Sequence, residues 1–388
     1  MKFKFGLLPR IIVAIALGVV IGSFAPEGLV RVFATFTTIF GNFLNFVVPL
    51  IILGFIAPGI AKLGKGSGKL LAISTLVAYG STIIAGLLAY LAASSLLPGF
   101  MEGRQMSNIE DPEHALAATF IALDMPPLFG VMSALILAFL LGIGMAATES
   151  KTMLSFFDEF QAIIEKTISY VIIPLLPFHI FGIFANMAYG GAVMEILSLF
   201  AVVFLMIIVL HWLMLLLQYT TAGSLVKKNP FSLIKTMMPA YFTALGTQSS
   251  AATIPVTLRQ ARKTGTNERV ADFTVPLFAT IHLSGSTITL VSCAIGVVLL
   301  TGQTPEFSNF LPFILMLGVT MIAAPGVPGG AVMAAVGLLQ VMLGFDETMV
   351  ALMIALYMAQ DSFGTAANVT GDGALANIVD RFTNGKRV

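Results

Sequence analysis

The strongest constraint on this chain is a series of long apolar stretches separated by short polar segments. Only 10% of the residues are charged, against about 25% in a soluble domain, so most of the surface has to face lipid. A helix needs about 20 apolar residues to cross a bilayer core. The sequence therefore predicts an all-α polytopic membrane protein with eight transmembrane helices. They lie near 8–28, 32–61, 70–98, 115–146, 160–188, 193–222, 267–301 and 346–378.

The distribution of Lys and Arg predicts the orientation of these spans. With the N-terminus inside, all of the 20 Lys and Arg residues except Arg31 and Arg104 fall on the cytoplasmic side. Such an excess is typical of cytoplasmic loops. The single cysteine, Cys293, excludes an internal disulfide, which fits a cytoplasmic membrane. We expect a multi-pass protein of the cytoplasmic (inner) membrane with both termini cytoplasmic.

Two further apolar stretches, 229–264 and 308–343, cannot each cross once without inverting every span that follows. Each has a break at its middle, the first in the polar run 246–253 and the second in the Pro- and Gly-rich run 324–330. Irregular backbone at membrane depth is tolerated only inside protein or beside a wet cavity. We therefore predict two re-entrant helical hairpins, hairpin 1 (229–264) and hairpin 2 (308–343). Paired interrupted segments of this kind point to the binding site of a transporter.

A polar face is predicted on the last span. Asp361, Thr365, Asn368 and Asp372 follow one another at intervals of four, three and four residues, which places them on one side of a helix. Carboxylates inside a membrane are costly and usually functional, although neighbouring helices could also satisfy them structurally. One carboxylate with an amide and backbone carbonyls suits a small cation, so sodium is considered at Asp372 and Asn368. The other carboxylate could pair with an ammonium group.

Four motifs together carry a family resemblance. They are TQSSAATIPVT at 247–257, PLFATIHLSGS at 276–286, GVPG at 326–329 and NVTGD at 368–372. With these motifs the chain resembles the dicarboxylate/amino acid:cation symporter family, which includes the glutamate transporters. The resemblance implies a glutamate-transporter-like elevator fold and a homotrimer in membrane lipid. A static scaffold would comprise 1–66 and 101–190, and a mobile transport domain 67–100 and 191–388 with both hairpins.

The resemblance also implies a substrate site. Asp361 matches the aspartate that pairs with the amino group of amino-acid substrates. The arginine that grips an acidic side chain in the family is replaced by Gly364, and Gln248 stands where a second arginine is common. Because a guanidinium is the natural partner of a carboxylate, we predict a small neutral amino acid as substrate. The implied substrate-binding residues are Ser249, Ser250, Gly326, Val327, Pro328, Asp361, Gly364, Thr365 and Asn368.

The cation sites depart further from the family. Its asparagine–methionine–aspartate–glycine–threonine motif reads His282 to Ser286 here, so both strong sodium ligands are absent. An imidazole near Asp372 can titrate near neutral pH, which predicts coupling to protons or to fewer sodium ions. His282 could instead simply hydrogen-bond a carbonyl group. The implied cation-binding or coupling residues are Ser81, Thr82, Phe278, Thr280, His282, Ser284, Asn368 and Asp372.

The resulting prediction is a symporter of a small neutral amino acid, working by elevator-type alternating access, with no cofactor beyond Na⁺ or H⁺ as coupling ion. A sodium-coupled symporter of acidic amino acids or dicarboxylates is one alternative. An ion channel is another, although it would need a continuous polar lining. An enzyme built on Ser250, His282 and Asp361 is disfavoured by the motifs, so we predict no enzymatic activity. No basic cluster suggests nucleic acid as a partner.

Overall fold

The computed structural model describes residues 7–63, 68–101, 117–121, 123–191, 193–322, 324 and 329–383, which form helices and loops without a strand. One π-helical turn spans Ile168–Ile172. The helices are α1 Leu7–Phe24, α2 Glu27–Leu63, α3 Gly68–Met101, α4 Val131–Thr148, α5 Lys151–Thr167, α6 Ile173–Tyr189, α7 Val193–Val226, α8 Pro230–Thr247, α9 Ser250–Lys263, α10 Glu268–Ile281, α11 Ser284–Leu300, α12 Phe307–Met321, α13 Gly330–Leu343, α14 Glu347–Met358 and α15 Asp361–Thr383.

Several of these helices are long and apolar enough to cross a membrane. Within the described residues there are 5 such helices, or up to 6 if α14 and α15, bent by 59° at their junction, count as one span. Large apolar side chains such as Phe24 and Leu76 are exposed, as lipid contact requires. The structure thus supports an all-helical polytopic membrane protein, whereas the predicted number of eight spans is not confirmed.

The fourth predicted span differs from its expected form. The described residues between 117 and 130 are not helical, and α4 begins only at Val131. Pro126 and Pro127 explain the difference, because proline lacks an N–H donor and disfavours helical backbone in the residue before it. The predicted span 115–146 is therefore broken at this proline pair. The helical start at 115 is wrong over the described residues.

The two interrupted stretches each form a pair of helices that pack against each other, α8 with α9 and α12 with α13. In hairpin 1, Gln248 ends α8 in the left-handed region, with φ 53°. Ser249 then caps α9 by accepting a hydrogen bond from the N–H of Ala252, at 3.3 Å. A left-handed C-cap followed at once by a serine N-cap reverses the chain within two residues.

Helix α15 is enclosed by the elements that the sequence analysis assigned to the site. It packs against α7, α8, α9, α10 and α11, while α3 packs against α11. A second group, α1, α2, α4, α5 and α6, packs mainly within itself. The two groups meet where α13 contacts α2 and α4, and where α14 contacts α6. The polar face of α15 is therefore buried in protein rather than exposed to lipid.

The seventh predicted span is broken between α10 and α11. His282 adopts an extended conformation there, and every residue of α11 is buried. The first N–H groups of a helix have no partner within it. Asn368 of α15 supplies one, because its Oδ1 accepts from the N–H groups of Gly285, at 2.7 Å, and Ser286, at 3.3 Å. The break is thus stabilised by a side chain from a distant part of the chain.

Candidate functional site

A small cavity lies where both hairpins, the α10–α11 break and the α14–α15 bend converge. Its volume is about 20 Å³, enough for roughly one water molecule. A solute as large as an amino acid therefore requires the surrounding elements to move. Seven of the lining side chains are polar and one of these is a carboxylate. The lining residues are Gln248, Ser250, Ala279, Thr280, Leu283, Ser286, Ala324, Ala331, Tyr357, Asp361 and Thr365.

Asp361 connects the polar face of α15 to hairpin 2. It is the first residue of α15 and only 5% exposed, and its Oδ2 accepts a hydrogen bond from the N–H of Gly329, at 2.7 Å. Gly329 has a φ of +74°, and a Cβ at this position would lie 2.7 Å from the sulfur of Met358. Glycine alone tolerates both conditions. The contact therefore holds hairpin 2 against the carboxylate.

The tip of hairpin 1 forms the facing wall of the cavity. Ser250 is buried and lines it, whereas Ser249 caps α9 and does not line it. Thr253 donates to the carbonyl oxygen of Ser249, at 2.8 Å, and its hydroxyl lies 3.1 Å from that of Thr247. The N-terminus of α9 thus starts at the cavity, and helix N-termini favour anionic groups.

Of the remaining expected substrate residues, one lines the cavity and two contact α11 beside it. Thr365 lines the cavity, while Asn368 holds the start of α11. Gly364 does not line the cavity. It packs closely on α11, because a Cβ added to Gly285 of α11 would lie 2.4 Å from the carbonyl oxygen of Gly364. The other three expected residues, Gly326, Val327 and Pro328, lie outside the described residues.

A second polar cluster surrounds His282. Its Nδ1 lies 2.8 Å from Oδ1 of Asp372, and the two side chains are 0% and 1% exposed. On the other side of the ring, Nε2 lies 3.1 Å from the hydroxyl of Ser81. Gln218 of α7 donates to Ser81, at 2.9 Å, and to Ser284, at 3.2 Å. The structure therefore brings together four of the expected coupling residues, and Oδ2 of Asp372 has no hydrogen-bond partner.

Other expected coupling residues lie apart from this cluster. Thr82 donates to the carbonyl of Ala78, at 3.0 Å, and Thr280 donates to that of Leu277, at 2.7 Å, although Thr280 also lines the cavity. The ring of Phe278 is fully buried, 6.2 Å from the ring of His282.

A sodium ion at Asp372 and Asn368 stays a prediction, and of their side-chain oxygens only Oδ2 of Asp372 has no hydrogen-bond partner. Both acceptor positions of the Asn368 oxygen are taken by backbone N–H groups, and one oxygen of Asp372 is taken by His282. In the part of the chain that the structure describes, no group of three or more His, Cys, Asp and Glu residues could hold a metal ion.

Two buried residues of these clusters were missed by the sequence analysis. Gln218 lies in the sixth apolar stretch, where an isolated glutamine is itself an unusual residue. Tyr357 lines the cavity, and its hydroxyl has no hydrogen-bond partner. Tyrosine is common at many kinds of membrane-protein positions, so the sequence offered no signal for Tyr357. Only its place one turn before Asp361 could have suggested it.

Comparisons with known proteins show which family the sequence of this chain matches. The model of the sodium:dicarboxylate symporter family matches residues 7–382. The chain is 27% identical to the serine/threonine transporter SstT of Acinetobacter baylyi, over 97% of this chain and 98% of that protein. It is 26% identical to the serine/threonine transporter SstT of Streptococcus suis, over 85% and 93%. An excitatory amino acid transporter of Caenorhabditis elegans is 27% identical over 64% of this chain and 50% of its own length.

Proposed function

Because this chain belongs to the sodium:dicarboxylate symporter family, we propose that it is a secondary active transporter of a small neutral amino acid, with serine and threonine as first candidates. The observation that carries the proposal is the lining of the cavity, which includes one carboxylate, Asp361, and no Lys or Arg among the described residues. A substrate ammonium has a partner there, whereas a second substrate carboxylate has none. The names of the serine/threonine transporters that resemble this chain support the same substrate class.

In the proposed complex the substrate lies between hairpin 1 and α15. Its ammonium pairs with Asp361, and its carboxylate meets Ser250 at the N-terminus of α9. Thr365, one turn after Asp361, completes the polar wall. Gly326, Val327 and Pro328 would contribute backbone groups from hairpin 2. Substrate entry breaks or lengthens the contact between Gly329 and Asp361, which makes hairpin 2 the proposed gate.

Coupling is proposed to run through His282 and Asp372. Their direct contact inside the protein means that the pair is neutral overall when the imidazole carries a proton and Asp372 is ionised. Loss of that proton leaves a buried negative charge without a counter-charge, which is costly. The cluster therefore binds one positive charge, either a proton on His282 or a small cation near the second oxygen of Asp372. Proton coupling is favoured, and coupling to fewer sodium ions than is usual in the family is the alternative.

An elevator mechanism is proposed for the movement. The scaffold would comprise 1–66 and 101–190, and the mobile part 67–100 and 191–388, in line with the two groups of helices that pack within themselves. A Cβ added to Gly41 would lie 3.9 Å from the carboxylate of Glu347, which begins α14. Gly41 lies well inside α2, about 20 Å from its first residue at 1.5 Å per residue. Such a depth suits a mobile part displaced along the scaffold towards one side of the membrane.

The assembly and orientation belong to the same proposal. We propose a homotrimer in a cytoplasmic membrane, with both termini on the cytoplasmic side, as the distribution of Lys and Arg predicts. The hairpins would enter from opposite faces of the membrane, because each lies between segments assigned to a single side.

Thermal stabilisation of the purified protein by a panel of amino acids, with and without sodium, tests the substrate. A ligand that binds the folded state raises its stability by mass action. We expect a shift with small neutral L-amino acids in the wild type and no shift in Asp361→Ala. Stabilisation by dicarboxylates alone would contradict the proposal.

Uptake into proteoliposomes tests the coupling ion and the transport class. We expect an inward proton gradient to drive accumulation of the substrate without sodium. Accumulation that follows a sodium gradient at clamped pH and ignores a pH gradient would exclude the proton version. Counterflow of labelled substrate, which saturates in a carrier, separates a transporter from a channel.

A further inference from the structure

Tyr357 carries a buried polar group that the packing of the protein does not use. The residue is 1% exposed, and its hydroxyl lies near Asp361 and Ser286 without forming a hydrogen bond of good geometry to either. Burying a hydroxyl without a partner costs free energy, and such groups are uncommon in native structures. A phenylalanine would fill nearly the same volume without that cost. The phenol oxygen therefore calls for an explanation other than packing.

The position of Tyr357 supplies that explanation. It lines the cavity, and its polar neighbours include the carboxylate of Asp361 and the hydroxyl of Ser286. The Ser286 hydroxyl already accepts a hydrogen bond from Asn368, at 3.0 Å. The hydroxyl of Thr280, also a lining residue, donates to a backbone carbonyl. Tyr357 thus presents to the cavity a hydroxyl that no well-formed hydrogen bond holds, four residues before the proposed ammonium partner and across the α14–α15 bend.

We propose that Tyr357 determines specificity for amino acids with a β-hydroxyl, by forming a hydrogen bond to that hydroxyl while Asp361 holds the substrate ammonium. The proposal rests on the proposed function. In serine and threonine the amino nitrogen and the side-chain oxygen are separated by three bonds, so both can face one short segment of protein. Tyr357 and Asp361 lie on either side of the α14–α15 bend, and both side chains line the same cavity.

The same bond penalises a substrate without a hydroxyl. Alanine would leave the phenol group buried and unpaired, as sites built to bind a hydroxyl do when the hydroxyl is absent. A neutral hydrogen bond contributes about 0.5–1.5 kcal/mol. The expected preference for serine over alanine is therefore about two- to tenfold in affinity.

Tyr357→Phe tests the proposal, with the ratio of alanine to serine dissociation constants as the readout. Both constants come from thermal-shift titrations of the purified full-length protein, with threonine and valine as a second matched pair. The matched control is Tyr90→Phe, because Tyr90 donates to the carbonyl of Pro305, at 2.8 Å, and does not line the cavity.

We expect Tyr357→Phe to bring both ratios of dissociation constants close to one, mainly by weakening the binding of serine and threonine. The melting temperature of the unliganded variant should stay the same or rise. Tyr90→Phe should preserve both ratios and lower the melting temperature. Unchanged ratios in Tyr357→Phe, or an equal loss for serine and alanine, would overturn the proposal; an equal loss would mean that Tyr357 acts on Asp361 instead. A wild type that binds no neutral amino acid would refute the proposed function and not this assignment alone.

Discussion

At the scale of single residues, the contact between His282 and Asp372 is a buried pair in which each side chain depends on the other. The two side chains are fully buried and 2.8 Å apart, and Ser81 and Gln218 complete the cluster around the ring. Buried ion pairs contribute little net stability, but removal of one partner is strongly destabilising because the other charge is left alone. The pair should therefore behave as one unit in mutagenesis.

His282→Gln is expected to destabilise the protein by about 3–5 kcal/mol, since Asp372 would keep a buried charge without its partner. Thermal unfolding in detergent measures the loss. The double variant His282→Gln/Asp372→Asn should recover much of the stability, because it removes that charge as well. Both variants should lose uptake driven by a proton gradient. Single and double variants of equal stability would mean that the pair is not energetically coupled.

Asp361→Asn separates the charge of this residue from its role in holding hairpin 2. The amide oxygen can still accept from Gly329, so we expect the fold and the hairpin contact to persist. Binding of a neutral amino acid should weaken by about 2–5 kcal/mol, the usual effect of removing one partner of a buried charge pair. Isothermal titration would measure it, with Thr274→Val as a control, because Thr274 is buried, donates to the carbonyl of Val270, at 2.8 Å, and does not line the cavity. Undiminished binding in Asp361→Asn would exclude Asp361 as the ammonium partner.

At the scale of helices and hairpins, the α10–α11 break depends on α15. Asn368 accepts two backbone N–H groups of α11 and donates to Ser286. Asn368→Ala would leave buried donors unsatisfied, at about 1–3 kcal/mol each. We expect both stability and substrate binding to fall. Asn377 lies on the same helix as Asn368 and donates to Thr264 and to the carbonyl of Gly373. Asn377→Ala should therefore lower stability without weakening substrate binding. Substrate binding unaffected by Asn368→Ala would dissociate the break from the site.

The glycine at the end of the hairpin 2 tip allows a similarly matched test. Gly329 and Gly344 flank α13, both with positive φ, but only Gly329 has a close neighbour, the sulfur of Met358. Alanine at either position costs about 1–2 kcal/mol of backbone strain. Gly329→Ala should also displace hairpin 2 from Asp361 and so change substrate affinity. Limited proteolysis with and without substrate would detect the looser tip, and equal behaviour of the two variants would argue against a gate.

The same elements explain what the sequence could and could not predict. Hairpin 1 was predictable because its tip carries local cap and turn residues, and the polar face of α15 because its spacing matches a helix. The break at His282 has no proline, and it is held by the contact of Gly285 with Asn368, 83 residues later along the chain. Gln218 and Tyr357 have their roles through neighbours on other helices. Such tertiary contacts leave no local pattern in the sequence.

At the scale of the whole molecule, the meeting of α14 with α2 offers a test of the proposed elevator. Cysteines at Gly41 and Glu347 should be close enough for a mercury ion or a short bis-methanethiosulfonate, which forms a disulfide with each thiol and releases a sulfinate, to link them, given the 3.9 Å between a Cβ at Gly41 and the Glu347 carboxylate. The native Cys293 is fully buried, so the protein without added cysteines measures the background reaction with the reagent. We expect linkage to stop uptake reversibly, and neither single cysteine to do so. Full uptake by the linked protein would exclude a sliding movement at this contact.

The hydrogen bond between Gly329 and Asp361 has one more consequence at this scale. In the proposed gating mechanism, hairpin 2 closes on the carboxylate through a donor that belongs to the protein itself, so we expect closure not to depend on a substrate ammonium. A carrier with such a closed form can recross the membrane unladen and start a new cycle. A carrier without it is an obligate exchanger, which releases one solute only when it takes up another. This bond therefore favours net accumulation over one-for-one exchange.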